Sequence, residues 1–216
     1  MTDPTPQPTA RRGRPRDTAA DARILQAAVE IFGERGWHGF TMDALAERAQ
    51  VGKALLYDRW ATKEEVLVAA IEPLGSALTG TYPTIRDAIV ADLRNRAKLA
   101  LSLSTRWATN RLPIEAESGP PFLKELARRV GEEPVLEMRR RIHAAIASGE
   151  LPPRTSVTRL LDAVEGAVYM HFVAAPNSLL PRIALSIDSY VEQLVDDQLW
   201  LACQLAINPE LSATPN

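Results

Sequence analysis

The stretch TMDALAERAQVGKALLYDRW, residues 41–60, decides the fold. It opens on a threonine, whose hydroxyl can satisfy the orphan amides at the start of a helix. Met42, Leu45, Ala46 and Ala49 then share one helical face. Gln50, Val51 and Gly52 interrupt the pattern, and helical spacing resumes at Lys53, with Leu56 and Trp60 four apart. A short helix, a three-residue turn and a second short helix make a helix-turn-helix. Its helices must cross tightly, which the small Ala44, Ala46, Ala49 and Gly52 allow, while Leu45, Val51 and Leu56 supply an apolar inner face. The second helix then presents its N-terminal residues Lys53, Ala54 and Leu55, with Tyr57 one turn on, to a major groove, where base edges are distinguishable.

Working outward, Ile24, Ala27, Ala28, Ile31 and Phe32 recur at helical spacing, and Gly36 follows as a helix stop. Thr62, Lys63, Glu64 and Glu65 form a new helix start, a capping residue followed by acids that suit the positive end of a helix dipole. That helix is expected to reach about residue 78, bent at Pro73. Further helices are expected over 85–104, 122–130, 134–147, 157–174 and 180–206, with a broken region at 107–118. No stretch alternates with period two. The expected fold is all-α: a flexible basic arm over 1–16, a three-helix helix-turn-helix DNA-binding domain over 17–68, and a larger helical domain over 69–208.

Composition bounds the function. A chain of 216 residues that is 46% hydrophobic can bury a real core. Its net charge of −2 argues weakly against a nucleic-acid partner, but four arginines (Arg11, Arg12, Arg14, Arg16) crowd into the arm. A local basic stripe is what a phosphate backbone meets, whatever the average charge. Gly13-Arg14-Pro15 fits a minor-groove arm, and a solvated tail is the plainer alternative. No apolar run approaches the roughly 20 residues of a membrane span, and the first residues lack the apolar core of a signal peptide. With Cys203 as the single cysteine, a reduced cytoplasmic setting is expected and no membrane partner. No catalytic motif is present, and Gly33, Gly36 and Gly39 punctuate a helix end rather than a phosphate loop. His38, His143, His171 and Cys203 lack metal-ligand spacing, so no metal and no cofactor are expected.

Three separated runs, RILQAAVEIFGERGW (23–37), TMDALAERA (41–49) and LYDRWATKE (56–64), together resemble the DNA-binding domain of the tetracycline-repressor (TetR) family over about residues 17–71. ASGELP (147–152) and LLDAVEGAVY (160–169) resemble one branch of that family more faintly. The resemblance implies a homodimeric transcriptional regulator, usually a repressor, that binds double-stranded operator DNA and is released by a small-molecule effector. By position, Thr41 would cap its helix and touch phosphate, Lys53, Ala54 and Leu55 would face bases, Tyr57 would reach backbone or base, and Lys63 would anchor phosphate. The chain departs from the common pattern with Gly52 where serine is frequent. Leu55 replaces a frequent threonine and is restricted to a thymine-methyl contact. Arg59 stands where an aromatic or histidine is common and offers its charge to phosphate. Tyr57 divides evenly between contacting DNA and packing, whereas Trp60 continues the apolar face and belongs to the core.

In the C-terminal half, Trp107, Phe122, Met138, Tyr169, Met170, His171 and Phe172 are candidate effector contacts, each also readable as ordinary core. Leu161, Val164 and Val168, with Ile183, Ile187, Tyr190, Val191, Leu194 and Leu201, form apolar stripes expected to build a four-helix dimer interface. The alternative is that both stripes close the subunit's own core. Two other functions stay open: a sequence-tolerant architectural DNA binder, and a small-molecule carrier or enzyme with a vestigial helix-turn-helix.

Overall fold

The computed structural model describes residues 18–75 and 80–208. Arg11, Arg12, Arg14 and Arg16 of the expected arm lie outside the described residues. Among the described residues there is no strand, as the missing period-two alternation predicts. The helices are α1 Thr18–Gly39, α2 Met42–Ala49, α3 Lys53–Tyr57, α4 Lys63–Gly75, α5 Ile85–Leu101, α6 Leu103–Ser118, α7 Pro121–Ala127, α8 Glu133–Ser148, α9 Val157–Val168, α10 Leu180–Ala184 and α11 Ile187–Ile207. A π-helical turn, Arg128–Glu132, joins α7 to α8, and another, Tyr169–Val173, extends α9.

Helix α1 is interrupted where the sequence places its stop. Gly36 takes φ 65°, a left-handed conformation that glycine adopts without strain. The expected broken region at 107–118 is instead continuous helix α6, even across Pro113. Tertiary contact outweighs the proline there. Ala108 and Leu112 are buried in the cluster around α1, and Arg111 Nε donates to the Gly33 carbonyl at 3.0 Å. The helices expected separately over 122–130 and 134–147 form one continuous rod through the first π turn.

Two apolar clusters organise the chain. One gathers α1 to α4 around Phe32, Phe40, Leu45, Leu56 and Leu67, and runs past residue 68 through Ala70 and Ile71 to Leu112 of α6 and Leu123 and Leu126 of α7. The other gathers α5, α8, α9 and α11 around Ile89, Leu93, Ile142, Val164, Phe172 and Val191. The helix-turn-helix is thus clamped onto α6 and α7, and α4 leads from it toward the second cluster.

Candidate nucleic-acid interface and effector cavity

Thr41 caps α2: its extended backbone brings the hydroxyl oxygen within 3.1 Å of the Ala44 amide. The hydroxyl accepts in that bond, so its own O–H stays available to donate. The left-handed residue of the turn is Gln50 (φ 54°), whose amide returns to the carbonyls of Ala46 and Glu47. Gly52 caps α3 with ordinary extended angles, and a Cβ there would meet nothing within 4 Å. The close crossing expected of Gly52 is therefore absent, and serine would fit sterically. Arg48 fastens α2 to α1 through Glu30 at 3.1 Å and Glu34 at 2.8 Å. The single buried residue of α3 is Leu56. Lys53, Ala54 and Tyr57 are exposed, and Leu55 is half-buried. Lys53 reaches Asp43 at 2.8 Å, and this carboxylate holds its ammonium above the ordinary lysine value. Lys53 stays charged at any working pH, with Asp43 as the partner a phosphate would have to displace.

Two residues expected at phosphate are committed inward. Arg59 pairs with Asp21 of α1, leaving its side chain only 9% exposed. Arg59 lies in the turn just past the five-residue α3, where α1 offers it a carboxylate on the inner side. Lys63 Nζ lies 3.7 Å above the Trp37 ring and donates to the Trp37 carbonyl at 3.3 Å. Trp60 packs against the N-terminal cluster.

The expected effector contacts are not brought together. Met138 and Phe172 are buried in the second cluster, while Trp107, Tyr169 and Met170 are about half exposed or more. Phe122 meets Trp37 edge-on at 4.9 Å in the other cluster. His171 stacks on Tyr190 at 4.0 Å. Trp107 lies on an open groove with Gly33 and Ile114, away from the interior. Of the seven residues, Tyr169 lines a cavity of about 230 Å³. Its walls come from the end of α4 (Leu74), α5 (Arg96, Leu99, Ala100), α6 (Thr105, Arg106, Thr109), α9 (Glu165, Val168) and both π turns (Val130, Gly131, Tyr169, Val173).

Its polar wall escaped the sequence reading. Arg96 Nε donates to Asp92 at 2.9 Å, and its Nη1 lies 3.4 Å from Glu165. Burial pushes both carboxyls above their usual range, against the opposing pull of Arg96. The available signal was Asp92 itself, a charge on the apolar stripe of Ile89 and Leu93 with an arginine four residues on. Arg106, 8% exposed, donates to the carbonyls of Phe172 and Ala175 and to Asn177 Oδ1.

A pH test follows. As the pH rises from 4.5 through the raised value of Glu165, the unfolded chain releases a proton that the native protein keeps, so stability falls across that window. Glu165→Gln removes this share. In urea unfolding, the variant should gain on the parent as pH increases through the window, and parallel curves would contradict the assignment.

The expected dimer stripes need correction. Leu161, Val164, Val168, Ile183, Ile187 and Val191 are all buried within the subunit. The stripe was correctly apolar, but its partner is the same chain. Tyr190 and Leu194 are half-buried, and Leu201 is 41% exposed. One expected residue does stand on an open face: Leu201 lines a shared groove with Ala163 of α9 and Gln198 and Leu205 of α11, and Trp200 of α11 is exposed. No helix among the described residues is long and apolar enough to cross a membrane.

Residues 24–70 match the family model of bacterial regulatory proteins of the tetR family. The HTH-type transcriptional regulator YdeS of Bacillus subtilis (strain 168) is 27% identical over 189 residues, covering 86% of this chain and 91% of that protein. The HTH-type transcriptional activator FasR of Mycolicibacterium smegmatis is 35% identical over 94 residues, 42% of each chain. TylP, a tetR regulator from Streptomyces fradiae, shares the fold with a TM-score of 0.56 at 19% identity, over 82% of this chain and 87% of its own.

Proposed function

We propose that this chain is a DNA-binding transcriptional regulator of the bacterial tetR family, a homodimeric repressor of a pseudo-palindromic operator released by a small-molecule effector. The match of residues 24–70 to that family's model and the similarity to YdeS support the reading. The observation that carries the reading is the division of labour on α3: Leu56 is fully buried, while Lys53, Ala54 and Tyr57 face outward. Such a helix can enter a major groove without surrendering its anchor. Lys53, Ala54 and Leu55 are the proposed base-facing residues, with Thr41 and Tyr57 toward the backbone. The arginines of residues 11–16 supply phosphate charge. Arg59 and Lys63 are left out of the contact set because Asp21 and Trp37 hold them.

The open face of α9 and α11, with Leu201, Leu205 and Trp200, suits a two-fold four-helix contact that sets two α3 helices about 34–36 Å apart or somewhat more. The cavity walled by α5, α6, α9 and the π turns is the proposed effector site. The domain division at residue 68 is kept as a functional boundary only, since the apolar cluster crosses it.

The experiment is a gel shift with the duplex upstream of the protein's own gene. Lys53→Ala and Tyr57→Ala should each lower specific affinity at least about tenfold, with an unchanged dimer on a sizing column. Equal binding of a random duplex would favour an architectural role, and no retarded band at low salt would refute the regulator reading of this helix.

A further inference from the structure

We propose that the cavity takes a small organic cation, an amine on an apolar body, whose nitrogen donates to Glu165. This rests on the reading of the cavity as the effector site. Two carboxylates, Asp92 and Glu165, share one guanidinium, Arg96; Asp92 is not part of the cavity lining, and Glu165 is the carboxylate that the lining presents. The pairing is unequal. Arg96 makes its hydrogen bond to Asp92, whereas Glu165 approaches it at 3.4 Å and, among the described residues, accepts no hydrogen bond. Asp92 Oδ1 is itself buried without a hydrogen-bond partner. Arg106, the other cation of the wall, has its donors directed at Phe172, Ala175 and Asn177, so it offers Glu165 no hydrogen bond.

A carboxylate at low dielectric that lacks donors is stabilised strongly by a cation supplying N–H groups. Burial already holds Glu165 above its ordinary range, as an under-compensated carboxyl requires. An anionic ligand could take the free Nη2 of Arg96, but it would add a third carboxylate beside Asp92 and Glu165. Leu74, Leu99, Val130 and Val168 give the rest of the wall an apolar part, beside the hydroxyl-bearing Thr105, Thr109 and Tyr169. At about 230 Å³ the cavity is smaller than the roughly 300–1,000 Å³ of pockets for drug-sized ligands, so the body is a single ring or short chain. The two π turns both contribute to this wall, and such turns are frequent at functional sites.

Isothermal titration of the full chain at neutral pH with benzylamine, benzyl alcohol and benzoate tests the proposal. Benzylamine should bind at least about tenfold tighter than the matched alcohol, and benzoate more weakly than either. Glu165→Gln should abolish the amine preference, bringing benzylamine to the affinity of benzyl alcohol, while leaving the helical circular-dichroism spectrum unchanged. Glu165→Asp, which keeps the charge on a shorter arm, should retain a weakened preference. Benzoate binding tightest, no binding of any probe, or an amine preference that survives Glu165→Gln would overturn the proposal. DNA release is read separately by gel shift. Amine-selective binding that leaves the retarded band unchanged would support the cavity chemistry and count against the effector reading instead.

Discussion

Leu56→Ala is expected to abolish operator retardation and to remove about 2–5 kcal/mol of stability. Leu56 has no exposed surface and is the single buried residue of α3, a helix of five residues. A helix that short does not persist without packing, since the cost of nucleation is spread over too few hydrogen bonds. Removing the Leu56 side chain opens a void in the cluster that also holds Leu45 and Ala49. It also releases the exposed face that carries Lys53 and Tyr57. The matched control is Leu55→Ala, half-buried on the same helix, which should change stability by no more than about 0.5 kcal/mol. Leu55→Ala should alter which sequences are bound. Urea unfolding and a gel shift on both variants separate the two roles. If Leu56→Ala retards DNA like the parent, the recognition helix is held by the Arg59–Asp21 pair rather than by its apolar face.

Gly75→Ala is expected to disturb stability and DNA binding together, although Gly75 lies at the far end of α4 from the DNA face. A Cβ on Gly75 would stand 2.4 Å from Val130 Cα and 2.8 Å from Val130 O. These are backbone atoms of the first π turn and cannot rotate away. Overpacking of this kind costs about 1–3 kcal/mol or more. The shift would strain the neighbouring ion pair between Glu72 of α4 and Arg129 of the π turn. It would also move Val130 and Leu74, which both line the cavity. Helix α4 packs Val66, Leu67 and Ile71 into the N-terminal cluster, so the contact at Gly75 joins the cavity wall to the DNA-binding core. A coupling of about 1–3 kcal/mol is ordinary for linked sites and would appear as an altered operator affinity. Calorimetric unfolding and titrated gel shifts measure both effects. An unchanged melting temperature with unchanged affinity would show that α4 does not communicate through this contact.

Much of the DNA-binding half was legible because its signals are local. Thr41 caps the helix that follows it, Gly36 breaks the helix that precedes it, and Leu56 and Trp60 recur at the spacing of one face. Each reading needs only residues within a turn or two. The continuous helix through Pro113 was hidden, because α1 supplies the packing that holds it.

The sequence by itself determined that the chain is helical, where the helix-turn-helix lies, and which faces are apolar. Only the tertiary structure decided what each face and each charge meets. Leu161, Val164 and Val191 form a stripe that looks the same whether it closes a dimer or its own subunit, and here it closes the subunit. Arg59 looks like a phosphate ligand until Asp21 is folded against it, and Glu165 like a surface acid until α5 brings Arg96 and Asp92 beside it. Periodicity reports the direction of a side chain relative to its own helix axis, and carries no information on which distant segment occupies that direction. Burial and Coulomb energy depend on that occupant, so the polar wall of the cavity became visible only in three dimensions.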